Sequence, residues 1–176
     1  MFIGHINLAK SINGTGEHFV SLVESLQQEG VRQHVIVRNP TLARRLDAIE
    51  HVVVGPVARS AVTAYCLMPN LDLVHIHDAD AAQAGLLLAL TRSIPFVLTH
   101  RGSLPGSWNP LTQAVYRRAK SVICLDESDV ALLHHYDPSL DVRIVPDVSR
   151  HGSASEHLRV YQNSQRMPMA GSNGIQ

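Results

Sequence analysis

The sequence predicts an α/β domain built on a doubly wound, mostly parallel sheet of about seven strands. Apolar, strand-like runs occur at 71–78 (LDLVHIHD), 94–102 (IPFVLTHRG) and 121–127 (SVICLDE), and each ends in polar residues able to do chemistry. Each run is followed by apolar residues at helical spacing. Strands that alternate with helices at this interval form right-handed βαβ units, not hairpins.

The elements follow in order. Residues 2–6 make a first strand and lead into a turn-rich loop. Phe19, Leu22, Val23 and Leu26 then repeat on one helical face, and Gly30 is a natural stop. A strand at 34–37 precedes a short helix that Thr41 can cap and that runs to Ala48. Residues 52–54 form a third strand ended by Gly55 and Pro56, and a helix over 57–68 is closed by Pro69 and Asn70. Leu71 to Ile76 is the most apolar strand so far. Asp78 or Asp80 can cap the segment 81–92, whose apolar residues surround the helix and so predict a buried one.

Residues 96–99 form the fifth strand. The loop 102–110 holds two prolines and the only tryptophan, Trp108. A helix over 111–119, a strand over 122–125, a helix over 128–136 stopped by Asp137 and Pro138, and a strand over 142–145 complete the pattern. The alternation ends after Pro146. The reading is a domain over 1–148 and a polar tail over 149–176, mobile except for a weak helix near 156–162.

A chain of 176 residues suits one domain, and its 45% hydrophobic content suits a packed core. Fifteen basic residues balance fifteen acidic ones, so an electrostatic nucleic-acid binder is excluded. Cys66 and Cys124 show neither a disulfide framework nor zinc spacing, which predicts a reducing, cytoplasmic setting. The first residues lack the features of a signal peptide, and no apolar stretch approaches the roughly 20 residues of a membrane span. Peripheral contact with the inner membrane face stays open.

Parallel sheets bind ligands at the carboxyl ends of their strands. That rule gathers His75, His77, Asp78, His100, Arg101 and Glu127 along one edge. The loop after the first strand adds Gly14, Thr15, Gly16 and Glu17, where glycines let backbone amides approach an anion or simply form a capped turn. It is neither a dinucleotide fingerprint nor a Walker loop. His75 and His77 share a strand face, but no third ligand is evident, so no metal is expected. His77 and Asp78 suit ligand contact or helix capping equally. His100 can accept a hydrogen bond from a ligand hydroxyl, orient a reacting group, or only anchor the loop start. Arg101, followed by Gly102, can meet a phosphate. Asp126 or Glu127 can cap the next helix.

Together these runs resemble the amino-terminal domain of family 4 glycosyltransferases, which are retaining enzymes of the GT-B fold. GTGEH at 14–18 looks like the family's glycine-rich first loop. LVHIHD at 73–78 and IPFVLTHRG at 94–102 look like its "VHxHD" and "IPxVxTxHG" strand ends. YRRAKSVICLDES at 116–128 resembles "RRADxVIAVSE", and RIVPDV at 143–148 resembles the closing "IxVIPNGVD" with Asp147 and Val148 in place of Asn-Gly.

The resemblance implies an acceptor-side, Rossmann-like half in sugar transfer from a nucleotide-sugar to a glycan or lipid-linked acceptor, as in polysaccharide or lipopolysaccharide biosynthesis. His100 would match the family's cleft histidine. Neither a metal nor another cofactor is implied, the nucleotide-sugar being a substrate. The family's donor-binding half, with its Glu-x7-Glu element, has no counterpart here. The chain alone is therefore expected to be inactive, and to need a separate donor-binding subunit or to self-associate through the exposed cleft edge. Two alternatives are a non-catalytic sugar- or phosphate-binding module and a relative of GT-B sugar-nucleotide epimerases.

Overall fold

The computed structural model describes residues 1–10, 14–102, 108–145 and 153–166. Its strands are β1 (Phe2–Asn7), β2 (Arg32–Val37), β3 (Val52–Val54), β4 (Leu73–Ile76), β5 (Phe96–Thr99), β6 (Val122–Cys124) and β7 (Val142–Ile144). They form one sheet in the order β3-β2-β1-β4-β5-β6-β7, and every neighbouring pair is parallel. The chain winds outward from β1 to one edge and then starts again at β4. The carboxyl ends of β1 and β4 therefore flank a topological switch point, where open parallel sheets leave a crevice.

Helices cover both faces. One face carries α1 (Gly14–Gln28), α2 (Pro40–Asp47) and α7 (Ser153–Arg166). The other carries α3 (Ala61–Leu67), α4 (Ala82–Thr91), α5 (Pro110–Arg118) and α6 (Glu127–Tyr136). The register puts Ile3, His5, Leu73 and His75 on the first face and Gly4, Ile6, Val74 and Ile76 on the second.

Local chemistry sets the ends of these helices. Gly30 adopts φ +72°, which a residue with a Cβ resists, and the Val31 N–H reaches back to the Leu26 carbonyl at 3.0 Å. The α2 cap is Asn39 and not Thr41. Asn39 Oδ1 accepts from the N–H groups of Thr41 and Leu42 at 2.9 and 3.2 Å. Pro40 supplies the preset φ of a first helical residue, which shifts the cap one place before it. Ser60, Asn109 and Asp126 cap α3, α5 and α6 in the same way.

Two expectations need correction. The apolar helix α4 is not buried all round: Leu88 is fully buried, whereas Leu90 is 60% exposed. It has only one sheet to cover, so one side faces water. In the tail, the weak helix read near 156–162 is a 14-residue helix, α7, packed on the domain: its Tyr161 is fully buried and its Val160 joins the core beneath α1. His157, Val160, Tyr161 and Ser164 are the buried residues of this helix. Their spacing of i, i+3, i+4 and i+7 is an amphipathic stripe. It was hidden because two of the four are polar.

Candidate functional site

A cavity of about 430 Å³ opens where β4 and β5 end, beside the switch point. Its floor holds His77, Asp78, Thr99, His100 and Arg101. Ala9, just past β1, adds a third strand end. One wall is Ala79, Ala82 and Gln83; the other is Leu111, Thr112, Val115 and Tyr116 of α5. The predicted set at the strand ends is thus partly assembled.

Asp78 is fixed by the backbone. Its Oδ1 accepts from the Ala81 N–H at 3.0 Å and caps the 3-10 turn Ala79–Ala81; its Oδ2 accepts from the Leu8 N–H at 2.6 Å. One carboxylate thereby ties the end of β4 to the end of β1. Burial pushes its pKa up, and backbone N–H bonds from Leu8, Ala81 and Asp80 oppose that shift.

His100 lies deeper than a cleft-mouth residue: it is 3% exposed. Its own N–H donates to the Ile123 carbonyl at 2.8 Å, and its Nδ1 is 2.8 Å from the Tyr116 hydroxyl. Its Nε2 is enclosed without a hydrogen-bond partner. Burial lowers the imidazole pKa and raises that of Tyr116, so both rings are uncharged at neutral pH. Trp108 packs on Tyr116 with ring centroids 5.3 Å apart, which steadies this wall. Arg101 lines the cavity and also a small void beside His75, His77 and His157. Gly102 is exposed and takes φ +68°, a turn that a side chain would strain.

Other expected residues lie elsewhere. Gly14 and Thr15 begin α1, and Gly16 is buried in its first turn. Glu17 is exposed and holds Arg45 of α2 through two bonds of 2.6 and 2.9 Å, linking two helices. Glu127 is exposed in the first turn of α6, while its neighbour Asp126 supplies the cap. Neither glutamate lines the cavity. Asp147 and Val148 fall outside the described residues.

Sequence reasoning missed His5. It lies directly opposite His75 in the β1–β4 register. The His5 Nδ1 is 3.0 Å from the His77 Nε2, and the His75 and His77 rings are 3.8 Å apart. His75 is held at both nitrogens, by the Tyr161 hydroxyl at 2.7 Å and the Thr99 hydroxyl at 2.6 Å. Burial depresses all three imidazoles, His5 to about 3, with neighbouring histidines adding to the shift. Nitrogens of His5, His75 and His77 lie within 4.8 Å of one another, so the trio is, among the described residues, a group that could hold a metal ion. For that, His75 would have to release one hydroxyl, and Arg101 adds positive charge nearby. Only the pairing of distant strands reveals this cluster; no spacing in the sequence does.

The family model for Glycosyltransferase Family 4 matches residues 12–147. The chain belongs to the family 4 glycosyltransferases. Three solved structures share the fold of this glycosyltransferase domain. HepE of Anabaena, in complex with UDP, aligns with a TM-score of 0.62 at 14% identity over 84% of this chain and 44% of HepE. A glycosyltransferase from Rickettsia africae ESF-5 aligns with a TM-score of 0.63 at 14% identity over 82% of this chain and 42% of its own. Apo UGT2 of Phytolacca americana aligns with a TM-score of 0.57 at 12% identity over 100% of this chain and 59% of its own. The family 4 chain thus spans less than half the length of the first two. No curated protein sequence matches it. Among its described residues no helix is long and apolar enough to cross a membrane.

Proposed function

We propose that this family 4 domain is the acceptor side of a sugar transfer. The cavity at the carboxyl ends of β4 and β5 receives the acceptor, and a donor-binding half, in another chain or outside these residues, faces it. In the net reaction the acceptor oxygen bonds to the anomeric carbon as the bond from that carbon to the diphosphate breaks. The hydroxyl hydrogen ends on the departing nucleoside diphosphate.

The observation that carries the reading is the cavity at the switch point, with Arg101 and the buried, neutral His100 on its floor. An enclosed Nε2 without a partner is costly, by about 1–3 kcal/mol for a buried polar group, and sites that await a ligand or a partner keep such groups. Arg101 is the one permanent cation among the described residues lining the cavity. One guanidinium is little to offset a leaving diphosphate, which favours a donor site built elsewhere.

The test is a pair of measurements on the 176-residue chain. In amide NMR titrations simple glycosides should shift resonances of cavity residues, and UDP should not. Release of nucleoside diphosphate from a panel of nucleotide-sugars should stay at background. Saturable release by the chain alone, abolished in Arg101→Ala, would place the donor site inside these residues and overturn the acceptor-side reading. A non-catalytic sugar-binding module remains the second reading, favoured by the way Asp78 is engaged wholly by backbone N–H groups. It predicts glycoside binding with no turnover in any reconstituted pair.

A further inference from the structure

His5 and His77 share one hydrogen. Burial keeps both imidazoles neutral, so each ring has one N–H and one bare nitrogen. The His5 Nδ1 lies 3.0 Å from the His77 Nε2. The ring centroids are 5.3 Å apart, close to that separation plus one ring radius on each side, so the contact is in line as a hydrogen bond requires. One nitrogen donates and the other accepts. The bond alone allows either direction.

The direction is set from a backbone carbonyl. Gln33 of β2 stands opposite Ile3, on the sheet face that also carries His5. Its Nε2 donates to the Val23 carbonyl of α1 at 2.9 Å. A carbonyl only accepts, so the amide cannot be turned round, and its Oε1 is held as an acceptor inside the domain. The Gln33 Oε1 and the His5 Nε2 are both enclosed and make no hydrogen bond of standard geometry. The Gln33 amide still acts on His5. Burial and His157 lower the pKa of the ring, and Gln33 raises it, as an oxygen facing a ring N–H does. His5 is then protonated at Nε2 and bare at Nδ1, so the His77 Nε2 must donate. The other nitrogen of His77, Nδ1, is not sealed in as the His5 Nε2 is, and His77 lines both the cavity and the small void beside it.

We propose that Gln33 and His5 are positioning residues: the Val23 carbonyl fixes a hydrogen-bond direction that passes through both, leaves His77 bare at Nδ1, and so places an acceptor for a ligand hydroxyl at the end of β4. A bare nitrogen repels the oxygens of an anion, so this position selects a hydroxyl over a phosphate. The hydroxyl part rests on the acceptor-side reading; the tautomer does not.

Long-range nitrogen–proton NMR spectra of the imidazoles tell a protonated ring nitrogen from a bare one, and the spectrum of His77→Gln identifies the ring. In the parent, His5 and His77 should both be protonated at Nε2 and bare at Nδ1. Gln33→Met keeps the length of a side chain that does not line the cavity but removes its amide, and it should leave His77 a mixture of tautomers. Methyl β-D-glucoside should move the His77 Nδ1 resonance toward the protonated position, and inorganic phosphate should not. In Gln33→Met the glucoside should bind more weakly in proportion to the lost tautomer, about twofold for an even mixture.

A parent His77 protonated at Nδ1 would overturn the proposal, and that spectrum decides the direction even where Gln33→Met fails to fold. A single parent-like tautomer in folded Gln33→Met would overturn it too, because Gln33 would then set nothing. Phosphate moving the Nδ1 resonance would refute the selection for a hydroxyl. Tautomers as expected, with no cavity resonance moved by the glucoside, would uphold the positioning by Gln33 and His5 and count against the acceptor-side reading alone.

Discussion

The hydroxyl of Tyr161 meets Nδ1 of His75 at 2.7 Å across 86 residues of chain, and this bond joins α7 to the centre of the sheet. Both side chains are fully buried. Tyr161→Phe keeps the ring and its packing but strands a buried imidazole nitrogen. The expected loss is about 1–3 kcal/mol. Urea denaturation of the two proteins measures it, and a midpoint equal to that of the parent would show that the bond carries no net stability.

Acid should weaken the fold from near neutrality downward. His5, His75 and His77 titrate below the ordinary histidine value when folded, His5 at about 3, because burial disfavours their charged forms. In the unfolded chain they bind protons from about pH 6.5 downward. The unfolded state therefore takes up protons that the fold refuses. Their stabilising effect is complete above that pH and declines as pH falls toward the folded values, by up to about 1.4 kcal/mol per pH unit for each histidine. Urea midpoints at pH 7.5, 6.5 and 5.5 should fall in that order. Asp137, held to about 2 first by the Ser139 hydroxyl and then by Arg117, loses its contribution only below the ordinary aspartate range, so it cannot account for a fall above pH 5.

His100→Ala should destabilise the domain. The ring is enclosed, and its removal leaves the Tyr116 hydroxyl without its partner. A loss of about 1–3 kcal/mol is expected, and Tyr116→Phe should cost a similar amount by stranding Nδ1 of His100. Thermal or urea unfolding decides the point, and near-parental stability of both variants would show that the His100–Tyr116 bond carries no net stability. Turnover of His100→Ala must accordingly be expressed per folded molecule.

Gly85→Ala should be more damaging than Gly4→Ala. A Cβ on Gly85 would lie 2.7 Å from Cδ2 of Phe96 and 2.9 Å from Cγ1 of Ile76, both deep in the packed face under α4. A Cβ on Gly4 would meet Cδ1 of Leu71 and Sδ of Met68, the far ends of flexible side chains that can move aside. Overpacking of the first kind costs about 1–3 kcal/mol. A Gly85→Ala midpoint equal to that of the parent would show that α4 can lift from the sheet at no cost.

The architecture was legible because it is written locally. Apolar runs, their intervals, and caps such as Asp78 and Asp126 sit within a few residues of what they control. The cavity floor was legible for the same reason, since strand ends can be read off the runs themselves. His5 was not, because its role depends on β1 lying beside β4, a pairing 70 residues apart that only the sheet order establishes. The burial of His100 was missed on similar grounds: its partner Tyr116 arrives from the following helix. Glu17 and Glu127 lie away from the cavity, in first helical turns, where the helix dipole alone favours acidic residues. The helix α7 was read as a short, weak one over 156–162, and its full length and burial were missed because composition was weighed above periodicity.

The position of α7 in the chain bears on how the protein is made. Synthesis runs from β1 onward, and the strands leave the ribosome before the helix that covers their middle. Until Tyr161 has emerged, α1 supplies Leu22 and Leu26 to this side of the sheet, but the patch around His75, Val97 and Ile123 lacks Val160 and Tyr161. A nascent chain in that state shows a greasy strip beside open imidazoles, the kind of surface that recruits chaperones or clumps with its neighbours. The last described helix thus completes a core cluster that already contains Ile3, so that patch should stay unfinished in a nascent chain until α7 is made.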